Sequence, residues 1–454
     1  MTQGLPEGRI LRPGDDGYEA LRRRGHNAVK PERYPELIVR PETEAEVVQA
    51  VRLARSEGLR VKARSGAHSW TASSVRDGML IDLAALDEIT VDPATRTATV
   101  QPGVQGQDLG ATLREHGLFF PGGHCPTVCV GGYLLQGGFG WNGRLHGPAC
   151  ASVRAVDVVT AAGELVHADE ATNPDLLWAV RGSGSGFFGV VTRFTLDVYE
   201  RPKAIFRSAY VYPLEELDAV LRFAMDVAGR LPANVEFALL GTTPRLPGGG
   251  FADGGTALIV AAAALCETDD EARAGLALLE ECPALDRAVV HEAFVPTEMD
   301  ELYAGADALE PEGWRYAPDN MWTAAGPDEL IPAVRELFTT VPNDESHVFW
   351  WPWRSHDLPD MAFSVQAPLY IAAFAAWADE HDDEALGTWG IDHMRRLEPL
   401  SVGIQLADEN LLARPHARYL SEENTARLEA LRAEWDPDGV FHGYLTEDVN
   451  GGDR

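Results

Sequence analysis

The segment RSGAHSW, residues 64–70, places a glycine among small residues immediately before a histidine. Gly66 and its neighbours Ser65 and Ala67 allow backbone N–H groups to point together toward a phosphate or pyrophosphate. Taken alone, such a segment is more often an ordinary turn, and a single histidine such as His68 is more often a satisfied polar residue than a cofactor ligand. The segment becomes informative only beside others of the same kind.

A second block, residues 121–147, reads PGGHCPTVCVGGYLLQGGFGWNGRLHG. Its glycines stand between valine, tyrosine, leucine, phenylalanine and tryptophan, whereas flexible linkers are polar and rich in serine. This composition favours a backbone packed closely on a large flat ligand, with tight packing of the backbone on itself as the alternative. Cys125 supplies a thiol, whose thiolate is a strong nucleophile, and backbone donors in a Gly-rich turn would favour that form.

The elements around these motifs are short and alternate in type. From Tyr34 the chain predicts a strand, a helix capped by Thr43 with Glu46 three residues later, a second strand and the turn at Gly66. A helix ending at Gly117 and a two-stranded unit turning at Ala162-Gly163 follow. A third Gly-rich run, RGSGSGFFGVVTRF, occupies residues 181–194.

Near Pro202 the pattern changes to longer amphipathic helices interleaved with apolar strands, which indicates a domain boundary. A cluster of tryptophans, WWPW at residues 350–353, lies in this second region. It has the composition of an aromatic wall for a flat or hydrophobic substrate, and buried core is an equal alternative.

Composition excludes several classes of function. The chain of 454 residues has 38 basic and 70 acidic side chains and a formal charge of −32, which argues against nucleic acid and anionic membranes as partners. It has no apolar leader or membrane-length apolar run, so we expect a cytoplasmic protein. Its five cysteines do not form the pattern of a disulfide framework, and no metal site is predicted. Cys150, Cys266 and Cys282 are expected to be small buried hydrophobic residues.

The chain resembles the FAD-linked oxidases of the berberine bridge enzyme type, within the vanillyl-alcohol oxidase superfamily. The resemblance spans most of the chain and rests on RSGAHS, GGHCPTVCVGGYLLQGGFG, WAVRGSGSGFFGVVTRF and WDPDGVF, in that order. It implies FAD bonded covalently through His68, at the flavin 8α carbon, and through Cys125, at carbon 6. Cys129 is a competitor for the second bond. The resemblance also assigns the remaining FAD contacts: Arg64, Ser65, Gly66, Ala67 and Ser69 at the pyrophosphate, Gly131 and Gly132 close to it, and Gly189 and Val191 near the adenine.

Relatives that oxidise sugars and alcohols commonly take the catalytic base from a tyrosine in a C-terminal Asn-Tyr pair, helped by a second tyrosine. This chain has Gln405 and Leu406 in place of the pair and Phe139 at the second position. The candidate replacements are Tyr133, Tyr370 and Gln405. The resemblance therefore leaves the base and the identity of the substrate open.

We predict an α+β protein with a two-subdomain FAD-binding domain of the vanillyl-alcohol oxidase type and an inserted substrate domain, an antiparallel sheet covered by helices. The expected bounds are residues 1–203 for the FAD-binding domain, 204–402 for the substrate domain and 403–454 for a segment that returns to the first. The predicted function is oxidation of an alcohol or similar C–H centre of a small organic molecule, with hydride transfer to flavin N5 and reoxidation by O2 to hydrogen peroxide.

Four alternatives stay open. They are a natural-product-tailoring oxidase that desaturates or cyclises, a dehydrogenase that uses another electron acceptor, a flavin-bearing protein that binds a metabolite, and a noncovalent FAD reductase that uses a nicotinamide cofactor. The absence of the two tyrosines is consistent with a tailoring oxidase, because such reactions can begin from a more acidic site. Trp141 lies close to the place that controls oxygen access in relatives, so the dehydrogenase alternative stays open.

Overall fold

The computed structural model describes residues 5–6, 8–245 and 252–446. The first sheet is built by short strands with the spatial order β1-β2-β4-β3, in which β2, β4 and β3 are parallel. Its elements are β1 (Ile10–Leu11), α1 (Tyr18–Arg22), β2 (Leu37–Val39), α2 (Glu44–Glu57), β3 (Val61–Arg64) and β4 (Met79–Asp82). The prediction for α2 is confirmed: Thr43 caps it by accepting from the Glu46 N–H, and Val47 and Val51 are buried against the sheet.

A second, antiparallel sheet has the order β5-β6-β10-β8-β9 and packs beside the first. The predicted two-stranded unit is confirmed as β8 and β9, and α3 ends just before Gly117, which has φ 68°. The strands are β5 (Ile89–Asp92), β6 (Thr97–Val100), β8 (Val153–Val159), β9 (Leu165–Ala168) and β10 (Val190–Asp197). The surrounding elements are α3 (Gly106–Glu115), β7 (Leu118–Phe119), α4 (Val130–Leu135), α5 (Gly143–His146), α6 (Pro174–Val180) and β11 (Tyr199–Glu200), with β7 paired to β11.

The large sheet is antiparallel and runs in the order β15-β12-β14-β13-β17-β18-β16-β19. Its strands are β12 (Ala204–Pro213), β13 (Val235–Thr242), β14 (Ala257–Cys266), β15 (Val290–Pro296), β16 (Arg315–Thr323), β17 (His347–Pro352), β18 (Leu369–Trp377) and β19 (Ser401–Gly403). The helices of this region are α7 (Leu217–Ala228), α8 (Asp269–Ala277), α9 (Met299–Leu309), α10 (Pro327–Thr339), α11 (Asp383–Leu386) and α12 (Trp389–Leu397).

The two faces of the large sheet differ, because successive side chains on a strand point to opposite sides. On one face Val235, Phe237 and Leu239 of β13 join a hydrophobic core with α7, α8, α10 and α12. On the other face Glu236, Ala238 and Leu240 line an internal cavity. The predicted α+β class, with an antiparallel sheet covered by helices, is confirmed.

The C-terminal segment returns to the first sheet through α13 (Glu422–Trp435). After this helix Asp436 accepts hydrogen bonds from the N–H groups of Val440 and Phe441, which form the turn of the WDPDGVF motif. Phe441 then forms a parallel bridge with Val61 of β3. These contacts support the predicted bounds of 1–203, 204–402 and 403–454, which stay a prediction. None of the helices formed by the described residues has both the length and the apolar character needed to cross a membrane.

Candidate active site

A cavity of about 590 Å³ lies between the Gly-rich segments of the first two sheets and the free face of the large sheet. It is lined by residues 62–70, by parts of the second and third Gly-rich blocks, and by α9. Most of the predicted site residues line it: Arg64, Ser65, Gly66, Ala67, His68, Ser69, Cys125, Gly132, Tyr133, Gly189, Tyr370 and Gln405. Gly131 and Val191 lie behind this lining, Gly131 against Ser65 and Val191 in the core of the second sheet.

The turn that begins the lining starts where β3 ends. The Arg64 guanidinium is buried and paired with Asp82 at 2.5 Å, and it also donates to the Leu21 carbonyl. Its charge is therefore used to hold the end of β3. Ala67 has φ 63°, which turns the backbone sharply before His68. The turn thus presents backbone and small side chains to the cavity.

His68 is held by two contacts. Its Nε2 lies 3.0 Å from the Thr127 hydroxyl oxygen, and its ring stacks on His26 with centroids 4.6 Å apart. Burial, followed by the neighbouring His26, lowers the pKa of His68 to about 3. The imidazole is therefore neutral at physiological pH, and a neutral ring is the form that acts as a nucleophile.

Cys125 lines the same cavity and is partly exposed. Burial raises the pKa of its thiol, and the carboxylates of Glu310 and Asp307 raise it further. This direction is opposite to our expectation that backbone donors would favour the thiolate, because desolvation and nearby negative charge dominate.

Cys129 occupies a different environment from Cys125. Its thiol donates to the Gly103 carbonyl over 3.1 Å. A Cβ at Gly66 would lie 2.8 Å from its sulfur, so Cys129 packs directly beneath the turn. Burial raises its pKa to about 11. Cys150, Cys266 and Cys282 are buried free thiols, as their predicted role requires.

The tryptophan cluster is divided between the two faces of the large sheet. Trp350 lies in the core beneath the helices, while Trp351 and Trp353 lie on the cavity side, and Trp351 lines the cavity itself. Trp350 is therefore core, whereas Trp351 is placed to form part of an aromatic wall, whose role toward a substrate stays a prediction. Phe349 and Phe374, on the neighbouring β17 and β18, extend the aromatic wall along the cavity.

A buried carboxyl, Asp408, lies at the edge of this wall. Its Oδ2 accepts a hydrogen bond of 2.5 Å from the Tyr370 hydroxyl, and its Oδ1 accepts one of 2.9 Å from the Trp70 indole. Burial raises the pKa of Asp408 to about 6, although both donors act in the opposite direction. Burial and the nearby Asp408 hold the pKa of Tyr370 well above its usual value.

Comparison with known proteins supplies the family. Residues 35–169 match the model of the FAD binding domain. The chain is 33% identical over 436 residues to the FAD-linked oxidoreductase janO of Penicillium janthinellum, which covers 94% of this chain and 95% of that protein. The chain belongs to the family of FAD-linked oxidoreductases.

Solved structures agree on the fold of this oxidoreductase. The structure of 6-hydroxy-D-nicotine oxidase from Arthrobacter nicotinovorans superposes with a TM-score of 0.84 at 21% identity, covering 97% of each chain. BBE-like 1 of Physcomitrella patens superposes with a TM-score of 0.82 at 22% identity, covering 96% of this chain and 95% of that one. The chain is thus an FAD-dependent oxidoreductase with an FAD-binding region of two subdomains and a substrate domain.

The cavity of this oxidoreductase fits FAD. A Cβ at Gly132 would meet nothing within 4 Å, so the start of α4 presents bare backbone to open space. Gly66 from the first Gly-rich segment and Gly184 and Gly189 from the third line the same cavity. Glycine at such positions allows backbone to approach a ligand closely. This arrangement matches a large flat cofactor with a phosphate-bearing tail.

The other two predicted bases of the enzyme have different surroundings from Tyr370. The Tyr133 hydroxyl donates to the Pro121 carbonyl at 2.6 Å, and its ring packs against Gly138 and Gly140. Gln405 is anchored through its backbone, which exchanges hydrogen bonds with the Asn320 side chain, and its side chain lines the cavity.

Sequence reasoning missed the carboxyl groups of the cavity: Glu236, Glu310 and Asp408. Asp408 stands three residues after Gln405, in a segment that the sequence had indicated without this carboxyl group. Glu236 had a usable signal, since it is the acidic residue in an otherwise apolar strand, VEFALLGT. Glu310 had none, because it follows a helix in an acidic stretch.

Proposed function

We propose that this oxidoreductase holds FAD covalently through both His68 and Cys125 and oxidises a C–H centre next to an oxygen or nitrogen of a small organic substrate. The observation that carries the proposal is that a neutral, half-buried imidazole and a thiol, from two different Gly-rich segments, line one cavity. Ser65, Gly66, Ala67, Ser69 and Gly132 are proposed to bind the pyrophosphate, and Gly189 the adenine end.

When bound, FAD supplies a hydride acceptor at N5 and reacts with O2 to give hydrogen peroxide. The protein must remove the proton that the substrate loses at the same time. Tyr370 and Asp408 both line the cavity and are joined by a short hydrogen bond. The substrate O–H or N–H would donate to the Tyr370 oxygen, pass its proton there, and release the tyrosine proton to Asp408. With a pKa near 6, Asp408 is ionised at neutral pH and ready to accept that proton.

The surroundings favour Asp408 with Tyr370 over the other candidates. The Tyr133 hydroxyl is already used by the Pro121 carbonyl, and an amide such as Gln405 is not a base. Gln405 is instead proposed to orient the substrate, because its side chain reaches the cavity without a carboxyl or phenol function. Phe139, where relatives have tyrosine, packs on Trp322 and Trp353 in the aromatic wall.

The test is the intact mass of the denatured protein, followed by peptide mapping of the flavin-bearing fragments. We expect one FAD per chain, with the peptides of His68 and Cys125 both modified. His68→Ala and Cys125→Ala are each expected to keep covalent flavin through the other residue, and Cys129→Ala, the matched control, to keep both bonds. An unmodified wild-type chain, or modification of Cys129 in place of Cys125, would contradict the proposal.

The oxidase step is tested separately, with hydrogen peroxide formation measured over a panel of alcohols, sugars, amines and phenols. Peroxide formed in proportion to substrate consumed is the expected result. Flavin that is reduced by a substrate but not reoxidised by O2 would assign the enzyme to the dehydrogenases. Absence of flavin reduction by every compound would favour a binding function.

A further inference from the structure

Residues 24–27, RGHN, lie alongside the turn of residues 64–70 that carries His68. A Cβ at Gly25 would lie 3.1 Å from the Ala67 carbonyl oxygen, so glycine at this position allows the two backbones to approach closely. Three backbone carbonyls of the turn accept hydrogen bonds from the segment. The contacts are Arg24 Nη2 to Ser65 at 2.7 Å, His26 N–H to Ala67 at 3.1 Å and Asn27 Nδ2 to Trp70 at 2.8 Å. The segment thus fixes the backbone on both sides of His68.

The imidazole ring of His26 stacks on the ring of His68. The two centroids are 4.6 Å apart, and the ring planes are inclined by 25°. The His26 ring also stacks on Tyr316, at 5.9 Å, and meets the Trp70 indole edge-on at 5.5 Å. Aromatic pairs at such separations attract each other beyond the effect of burial alone. His26 is 3% exposed, so its ring has little freedom to leave this contact and restrains rotation of the His68 ring.

The orientation of the His26 ring is set from outside the turn. Its Nε2 lies 2.9 Å from the Glu310 carbonyl oxygen, which can only accept, so this nitrogen carries a hydrogen and donates it. The His26 carbonyl in turn accepts from the Gly313 N–H at 3.0 Å. The segment that follows α9 therefore holds His26 at both its ring and its backbone.

The ring of His68 has one hydrogen bond to orient it. Its Nε2 lies 3.0 Å from the Thr127 hydroxyl oxygen, and among the residues that the structure describes its Nδ1 has no hydrogen-bond partner. A ring held at one nitrogen alone can still turn about its side-chain bonds. A bond to a bound flavin forms fast only when the two reacting atoms are held in a suitable orientation. Stacking on His26 supplies the second restraint.

We propose that His26 is a positioning residue for flavin attachment: by stacking on His68, it holds the imidazole in the orientation from which a ring nitrogen bonds the flavin 8α carbon. The inference rests on the proposed function, because it requires His68 to be an attachment site. Among the described residues His26 is not part of the cavity lining, so it acts through His68 and makes no bond to the cofactor itself.

The attachment reaction that His26 assists needs O2 as its oxidant. One bond forms, between a ring nitrogen of His68 and the 8α carbon, and two bonds break, the C–H bond at that carbon and the N–H bond of the imidazole. The flavin takes up the two electrons and two protons so released, and O2 removes them as hydrogen peroxide. His26 neither gains nor loses a proton in this sequence, and its part is geometric.

Two kinds of variant separate the ring of His26 from its hydrogen bond. His26→Phe keeps an aromatic ring and removes the donor to Glu310. His26→Gln keeps an N–H donor and removes the ring, and His26→Leu repeats the loss of the ring with an apolar side chain. His393→Leu is the matched control, because His393 is a buried histidine on α12 whose ring packs edge-on against Trp389.

The measurement is the fraction of the His68 and Cys125 peptides that carry flavin against time, after FAD is added to the full-length protein prepared without it. His26→Gln and His26→Leu are expected to slow attachment at His68 about fivefold, the effect of losing one aromatic pair. His26→Phe is expected to stay within about twofold of the wild type, because it keeps the pair. Attachment at Cys125 is expected to keep its wild-type rate in all three, and His393→Leu to leave both sites unchanged.

Attachment at the wild-type rate in the ringless variants would overturn the inference. So would slowing by His26→Phe as large as that by His26→Gln, because the ring would then not be the feature that matters. Equal slowing at His68 and Cys125, or the same slowing in His393→Leu, would show general damage to the fold and would also overturn it. A wild type without flavin on His68 would overturn the proposed function itself. The two failures are distinguishable, because the wild type alone tests the proposed function.

Discussion

The indole N–H of Trp70 donates to Asp408 over 2.9 Å, although the two residues are 338 positions apart in the chain. Trp70 stands two residues after His68, so the segment proposed to hold the flavin also orients the proposed base. The following residues of the two segments are also joined, because the Thr71 hydroxyl donates to Glu409 at 2.6 Å. Two hydrogen bonds thus join the segment of the proposed proton acceptor to the segment of the proposed flavin attachment point.

Asp408 is expected to titrate near pH 6, well above an ordinary aspartate, because burial disfavours its charged form. Its carboxylate is therefore present above that pH and lost as pH falls through it, and the rate of flavin reduction by substrate is expected to fall with it. Infrared difference titration of the protonated carboxyl, with Asp408→Asn as the blank, measures this pKa without a substrate. A carboxyl that stays ionised down to pH 4, roughly the unperturbed range, would contradict the prediction.

Trp70→Phe removes the hydrogen bond to Asp408 and keeps an aromatic ring. Because that bond stabilises the carboxylate, we expect the Asp408 pKa to rise by about one unit, the effect of a hydrogen bond to a charged group. The acid limb of the activity profile is expected to move to higher pH with it. Trp389→Phe, whose indole donates to Thr340 far from the cavity, is the matched control and should leave both unchanged.

Thr127→Val removes the hydroxyl that lies 3.0 Å from His68 Nε2 and preserves the shape of the side chain. A histidine without this partner samples more orientations, so we expect attachment of flavin at His68 to slow by about fivefold, the effect of one hydrogen bond. Attachment at Cys125 is expected to persist. The measurement is the fraction of each modified peptide against time after adding FAD to apoprotein, with Thr112→Val, a half-buried threonine on α3, as control. Equal slowing at both sites would point to general damage to the fold.

Arg414→Met leaves Asp319 without its buried ion-pair partner, which lies at 2.9 Å. An uncompensated buried charge costs about 3–5 kcal/mol, so the midpoint of urea unfolding is expected to fall. Burial already raises the pKa of Asp319 to about 7 despite Arg414, and removing the arginine raises it further. The deficit should therefore be smaller at pH 5 than at pH 9, since protonation of Asp319 in the folded state relieves it at low pH.

The double variant Arg414→Met with Asp319→Asn separates loss of packing from loss of charge balance. It removes the stranded charge and is expected to recover part of the stability at pH 9. A double variant no more stable than Arg414→Met alone would show that the arginine acts through its contacts with the Asn320 carbonyl and Glu398 instead.

Much of the fold was predictable from local pattern. The helix from Glu44 and the hairpin around Gly163 follow from a cap, an apolar periodicity and a turn signal that act over a few residues. The protonation of Cys125 was not predictable, because its pKa depends on burial and on the charges of Glu310 and Asp307, which come from the C-terminal end of α9, far along the chain. The placement of Trp350 in the core and of Trp351 beside the cavity likewise depends on which face of β17 is covered by helices.

The sequence by itself, through its resemblance to a known family, determined the cofactor and the candidates for its attachment, because the motifs that carry the resemblance are local features of the chain. The tertiary structure alone decided which side chains complete the site. Tyr370 lies on β18 and Asp408 in the C-terminal segment, and their pairing, burial and raised pKa values arise only when the large sheet packs against the Gly-rich segments. Desolvation and partner choice are properties of that closed cavity, which no segment of the chain forms alone.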